Sequence, residues 1–384
     1  MSKDEYLITD APLKALTVFA MPMILGSFFQ QVYNMADSII VGQFVGSSAL
    51  AAVGACAALT NVFICVALGA GVGAGVLVSR YFGARDYSKM KTIVSTSLIS
   101  FLVLSILLGV FGLCFSHSMM NLLQTPADIL DEAVLYLRIY FLGFPFLFMY
   151  NVLSSMFNAL GKSRIPLYFL IFSSVFNIIL DWVFVADFAL DVAGVAWATL
   201  IAQGVSVLGS FTVLRKELKK LEGASDGIFE AEELLPMAKI ALPSILQQST
   251  VSIGMMLVQS VVNSFGAESL AGFSAGMRIE SICIVPMAAV GNAISSYTAQ
   301  NIGAGQLKRV SKGYVQANKM VIFFGVVICV ILELFPTQFI TLFLGADGSQ
   351  VAIATGYGYL VFMGFFFFMI GFKMAADGVL RGAG

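Results

Sequence analysis

Ten stretches of this chain are each long and apolar enough to cross a lipid bilayer, which leaves few folds open. A spanning helix needs roughly 20 mostly apolar residues. The runs cover residues 13–38, 48–79, 92–115, 133–159, 165–185, 192–214, 237–263, 269–299, 314–335 and 351–380. The second, eighth and tenth are long, which predicts tilt, bends or interfacial turns. Charge density points the same way. Only 11% of residues are charged and 59% are hydrophobic, whereas a soluble domain carries about 25% charged residues. So few charges cannot cover a water-facing surface of this size. The fold class is therefore all-α and polytopic, with membrane lipid as its solvent.

The basic residues orient the spans. Of 21 Lys and Arg, 18 fall at or beyond alternate span ends. The other three, Arg138, Arg278 and Lys373, lie inside spans and away from those ends. The opposite loops carry acids: Asp128, Asp131, Asp187, Asp191, Glu268 and Asp347. The positive-inside rule then places both termini in the cytoplasm. The net charge of −1 offers nothing to nucleic acid. The five cysteines show no metal-ligand spacing and no disulfide framework. The first ten residues lack the apolar core of a removable signal peptide. The single histidine, His117, reads as a surface residue of an outer loop. The glycine run from Gly69 to Gly75 lacks the Lys-Ser/Thr of a phosphate loop and sits inside a span, so it reads as close helix packing.

The chain repeats itself. Ala20-Met21-Pro22 returns as Ala241-Leu242-Pro243. Phe44 to Ala51 returns as Phe265 to Ala271. Tyr81-Phe82-Gly83-Ala84-Arg85 corresponds to Asn301-Ile302-Gly303-Ala304-Gly305, and Phe157 to Gly161 to Leu380 to Gly384. The offset stays between 220 and 223 residues. An even number of spans in the first copy makes the two copies parallel. The expected organisation is a first lobe over 1–215 with six spans, a cytoplasmic linker over 216–235, and a second lobe over 236–384 with four. By this repeat the second lobe is incomplete, two further helices being expected beyond Gly384.

Local patterns narrow the reading. The stretch Gln31-Val32-Tyr33-Asn34-Met35-Ala36-Asp37-Ser38-Ile39-Ile40-Val41-Gly42 resembles the first helix of MATE (multidrug and toxic compound extrusion) transporters of the MOP flippase superfamily. Asn177-Ile178-Ile179-Leu180-Asp181 resembles that family's fifth helix. Gly194-Val195-Ala196-Trp197-Ala198-Thr199 resembles the start of its sixth, and Leu380 to Gly384 the end of its tenth. The order is kept along the whole chain. There are departures: Phe157 to Gly161 lacks an Arg that this segment often carries, and the seventh span has no acid. The resemblance implies two parallel six-helix lobes and a secondary active exporter in a bacterial cytoplasmic (inner) membrane. Such an exporter moves small amphipathic organic cations by alternating access against H+ or Na+, uses no cofactor, and works as a monomer. The alternative is a lipid-linked oligosaccharide or lipid flippase of the same superfamily, which would want basic residues in its cavity. An enzyme is excluded by the lack of any nucleophile or metal constellation, and no ATPase motif is present.

An acid in a membrane span is expensive, about 2.5–3.5 kcal/mol at the bilayer centre, and is a functional candidate by default. Asp37 lies in the first span, and the second copy has Val258 or Gln259 there instead. Asp181 follows Asn177 by four residues, so the two share a helix face. The resemblance implies that Asp37, Asn177, Asp181 and Thr199 line the first lobe's cavity and handle the coupling cation. Two carboxylates close together in poor solvent repel each other, and binding a proton relieves that repulsion. The same oxygens would also suit Na+, a hard cation. The alternative for Asp37 is a satisfied helix-end acid, and the same alternative is stronger for Asp181, toward the outer end with Asp187. Gln30 and Asn151 are further cavity candidates, or else polar glue between helices. Glu280, mid-way along the eighth span, is either a cargo-binding acid or a partner of Lys373 or Arg278. Lys373 and Asp377, at i and i+4, are expected to pair.

Overall fold

A chain that must satisfy its own backbone hydrogen bonds in lipid winds into helices. In a computed structural model of the protein, every regular element among the described residues is helical. Those residues are 5–40, 47–188, 191–344 and 349–384, with side chains described except at 36–40, 47–50, 58, 186, 187 and 191. After a short α1 (Tyr6–Thr9) come α2 (Pro12–Ile40), α3 (Ser47–Gly83), α4 (Tyr87–Leu122) and α5 (Leu130–Ala159). Then follow α6 (Arg164–Trp182), α7 (Asp191–Lys219) and α8 (Leu234–Asn263), and next α9 (Ala267–Cys283) and α10 (Val285–Gly303). The chain continues through α11 (Leu307–Leu334), α12 (Pro336–Leu344) and α13 (Gln350–Ala383). Among the described residues these provide ten candidate spans, the number read from the sequence.

The long eighth span, expected to tilt, bend or turn, is two helices, α9 and α10, divided at Ile284 immediately before the Val285-Pro286 start of α10. Proline has no N–H to continue the preceding helix. His117 lies within α4 rather than in a loop, exposed and hydrogen-bonded to Asn121 one turn on, at 3.0 Å.

By internal contacts the chain forms two compact units. One comprises Met1–Phe28 with Leu246–Gly384, the other Phe29–Ile245. In the second, α5 lies among α3, α4 and α7. Its buried rings Phe141, Phe144 and Phe148 stack edge-on, and Phe63 of α3 meets Phe141 with centroids 4.8 Å apart. In the first, α13 lies among α9, α10 and α11. Its Leu360 and Phe367 join Leu16 and Phe19 of α2 and Ile294 and Tyr297 of α10 in one apolar cluster. Many large apolar side chains remain exposed, including Leu107, Leu246 and Leu257. In a bilayer such faces are the solvent side.

Small residues set the helix spacing, since association in lipid relies on close backbone approach. The run Gly69 to Gly75 serves two neighbours at once. A Cβ on Gly69 or Gly73 would strike α8, at Ile245 or at the Met237 carbonyl, and one on Gly71 or Gly75 would press on Ser155 of α5. In the other unit, a Cβ on Gly378 would come within 2.1 Å of the Gly291 carbonyl oxygen.

Repeat-related turns have matching geometry. After α3, Ala84, Arg85 and Asp86 donate back to the carbonyls of Arg80, Phe82 and Tyr81; after α10, Ala304, Gly305 and Gln306 donate to those of Gln300, Ile302 and Asn301. Each turn places its fifth residue in the left-handed region, Arg85 at φ 61° and Gly305 at φ 70°. Gly supplies that conformation without cost, and Arg does not.

Gly73→Leu is expected to destabilise the protein by about 1–3 kcal/mol, the usual cost of overpacking, because its Cβ alone would lie 2.7 Å from the Met237 oxygen. Gly254→Ala, with no atom within 4 Å of the added carbon, should leave the detergent melting temperature unchanged or raised.

Candidate functional site

Helix α6 is amphipathic in the sense opposite to a water-soluble helix. Its polar residues Ser174, Asn177 and Asp181 recur at three- and four-residue spacing and are buried, Asp181 wholly. Its apolar residues Phe172, Val175, Ile179 and Trp182 are about half exposed. The polar stripe is turned inward because only protein can satisfy it in a bilayer.

Asn177 is the hub. With its amide turned to suit its neighbours, its nitrogen donates to Tyr33 Oη at 2.5 Å and to Asp181 Oδ2 at 3.1 Å, and its oxygen accepts from the Thr199 backbone N–H at 3.0 Å. Three helices thus converge: α2 through Tyr33, α6 through Asn177 and Asp181, and α7 through Thr199. The Thr199 hydroxyl donates to the Val195 carbonyl at 3.1 Å. On its other side Thr199 borders a crevice of about 20 Å³ shared with Tyr136, Tyr140 and Gln203. That is room for about one water. A carboxylate, a carboxamide and two hydroxyls thus form one oxygen-rich group, of which Thr199 alone borders the crevice.

Of the sequence candidates, Asn177, Asp181 and Thr199 are brought together. Asp37 lies on α2 one turn beyond Tyr33, and its side chain is outside the described residues. Gln30 donates to Asn34 within α2 at 3.4 Å. Asn151 donates to Leu147 within α5 at 2.9 Å. Neither is joined to the Asn177 group by a described contact. Tyr33 was not among the candidates, although its place four residues before Asp37 puts both positions on one helix face.

Glu280 belongs to the other unit. It is partly buried and accepts a hydrogen bond from the Tyr359 hydroxyl of α13, which also lies 3.3 Å from Met277 Sδ. Phe273 packs edge-on against the Tyr359 ring at 5.2 Å. Gly276 makes the room, since a Cβ there would lie 2.5 Å from that ring. Arg278 is exposed. Lys373 pairs with Asp377 at 2.7 Å, and Asp377 also accepts from Gln247 at 2.7 Å. No sequence signal linked Glu280 to Tyr359, 79 residues away. Among the described residues, no three His, Cys, Asp or Glu side chains gather as metal ligands.

A sequence profile of the MatE family matches residues 22–183 and 243–384. The probable multidrug resistance protein YpnP of Bacillus subtilis (strain 168) is 33% identical over 97% of this chain and 83% of its own length. A MATE crystal structure in complex with MaL6 superposes with a TM-score of 0.93 at 27% identity, covering 100% of this chain and 86% of that one. A MOP-superfamily transporter from Pyrococcus furiosus, whose binding pocket is described as reversed in polarity, superposes with a TM-score of 0.92 at 26% identity, covering 100% and 85%. With a match over most of its length and the oxygen-rich group buried among its spans, this chain belongs to the MatE family of membrane transporters and is not an enzyme.

Proposed function

We propose that the protein is a cation-coupled exporter of amphipathic organic cations, with H+ or Na+ exchanged at Asp37, Asn177, Asp181 and Thr199. The observation that carries this is the fully buried Asp181 held by Asn177, which Tyr33 and Thr199 hold in turn. A buried carboxylate in a membrane bundle is costly, and this one is supported by groups that remain useful when a cation binds. Asp37, one turn beyond Tyr33, adds the second carboxylate. Two carboxylates there share one cation more comfortably than they bear two charges. Multidrug relatives such as YpnP support an organic cargo.

Glu280 is the proposed cargo-facing acid of the second lobe, with Tyr359 supplying a hydroxyl and an aromatic face that suit an organic cation. The lobes of this proposal run over 1–215 and 236–384, joined by 216–235, and the matching turns after α3 and α10 support that division. The basic ends of the helices face the cytoplasm of a bacterial inner membrane, and one copy suffices. A flippase for an anionic pyrophosphate is less well supported: Arg138 is engaged with Ser116 at 3.2 Å and Lys373 with Asp377.

In cells stripped of their own pumps, ethidium efflux should be abolished in Asp37→Asn and Asp181→Asn, with unchanged protein in the membrane. Tyr33→Phe removes one hydrogen bond, about 0.5–1.5 kcal/mol, and should slow efflux a few-fold. An uncoupler should stop a proton-driven pump, and sodium removal a sodium-driven one. Wild-type efflux in either aspartate variant would remove that residue from the site. Sidedness is read separately, in a background with the five native cysteines replaced. Asp128→Cys should react with a membrane-impermeant maleimide in intact cells, and Glu222→Cys only after lysis.

A further inference from the structure

The two compact units do not follow chain order. Their boundaries fall at 28/29 and 245/246, in the middle of α2 and of α8. These are the helices that open the two sequence repeats. The segment leading into each is held by the other repeat, at the same repeat-related corner.

The leader of α2 is held by the α10–α11 corner. Arg309 donates to the Asp10 carbonyl at 2.7 Å and the Leu7 carbonyl at 3.3 Å, and to Asn301 Oδ1 at 2.9 Å. Asn301 donates to the Leu7 carbonyl at 3.1 Å. Tyr297 lies beneath the Arg309 guanidinium, 5.8 Å from ring centroid to Cζ, and donates to the Arg309 carbonyl at 3.1 Å. Leu7, Leu16 and Phe19 are fully buried in that unit's core.

The leader of α8 is held by the α3–α4 corner. Lys89, 220 positions before Arg309, pairs with the nearly buried Glu233 at 3.0 Å. Tyr81, the same offset before Asn301, donates to Glu233 at 3.2 Å and lies under Lys89. Ser95 donates to the Ile228 carbonyl at 2.6 Å, and Thr96 accepts from the Glu230 N–H at 3.0 Å. The stretch that reads as a linker is thus stitched along α4.

We propose that these two exchanged clasps stay closed through the transport cycle, fixing the first half of α2 and of α8 to the opposite repeat. Relative motion of the two units is then absorbed within α2 and α8, beyond the clasped ends. The positions bear this out physically. The clasp residues sit on matching turns, one in each repeat, and recruit backbone carbonyls or an almost buried carboxylate rather than mobile surface groups. The α2 leader adds an apolar anchor that would be exposed by release. The proposal rests on the transporter reading for its functional meaning, and on contacts alone for its geometry.

The test is a cross-link that replaces the clasp. In the cysteine-free background, Lys89→Cys with Glu233→Cys should lower ethidium efflux at least several-fold, and joining the two thiols with a short bismaleimide should restore most of it. Linked protein that is no more active than unlinked, or less, would overturn the proposal, since a clasp that must open is blocked by the link. If the wild type moves no organic cation, the transporter reading fails but the clasps remain testable by hydrogen exchange. Residues 7–20 and 228–245 should stay equally protected in acidic and alkaline buffer, with and without sodium. Arg309→Ala should raise exchange in 7–20 while sparing 228–245. Protection of either leader that collapses in one of those buffers, or an Arg309→Ala variant that leaves 7–20 protected, would also overturn it.

Discussion

The absence of water in the bilayer is the constraint on which the rest of this structure depends. It forces backbone polarity into helices and side-chain polarity into the bundle. Helix α6 shows the result most clearly, with Ser174, Asn177 and Asp181 inward and Phe172, Ile179 and Trp182 outward. A polar group in that setting needs a partner, and for Asn177 partners come from two other helices as well as its own. The Asn177 amide therefore ties α2, α6 and α7 together while holding the carboxylate of Asp181. The hydrogen bonds that satisfy the buried Asp181 are the same ones on which the proposed cation exchange rests.

With little hydrophobic gain from packing one helix on another in lipid, fit has to come from shape. The glycines at 69, 71, 73 and 75 let α3 approach α8 and α5 on two faces, and Gly378 lets α13 lie against α10. The central helices α5 and α13 stand at repeat-related positions and gather corresponding neighbours. The matched turns at Arg85 and Gly305 carry that likeness down to single hydrogen bonds.

What was legible in the sequence follows from which interactions are local. The ten spans, the packing role of the glycine run, the shared face of Asn177 and Asp181, and the Lys373–Asp377 pair all depend on spacing within one helix, and each is found as read. The length of the eighth span already called for a bend or turn, and the break falls just before Pro286. The Tyr33–Asn177 bond joins residues 144 apart, and the Glu280–Tyr359 bond residues 79 apart. No local pattern encodes such pairings. The hold of Arg309 on Leu7 and Asp10 was invisible for the same reason: backbone carbonyls carry no signature of their own.

The central claim is that cargo binding is coupled to release of a cation from the Asp37–Asp181 group. The most direct measurement is calorimetry and pH recording on purified protein in weakly buffered solution as tetraphenylphosphonium is added. The account predicts that binding releases protons, or displaces sodium when sodium is present, and that the release disappears in Asp37→Asn and in Asp181→Asn. Binding with neither proton release nor sodium displacement, or release that persists in both variants, would contradict it.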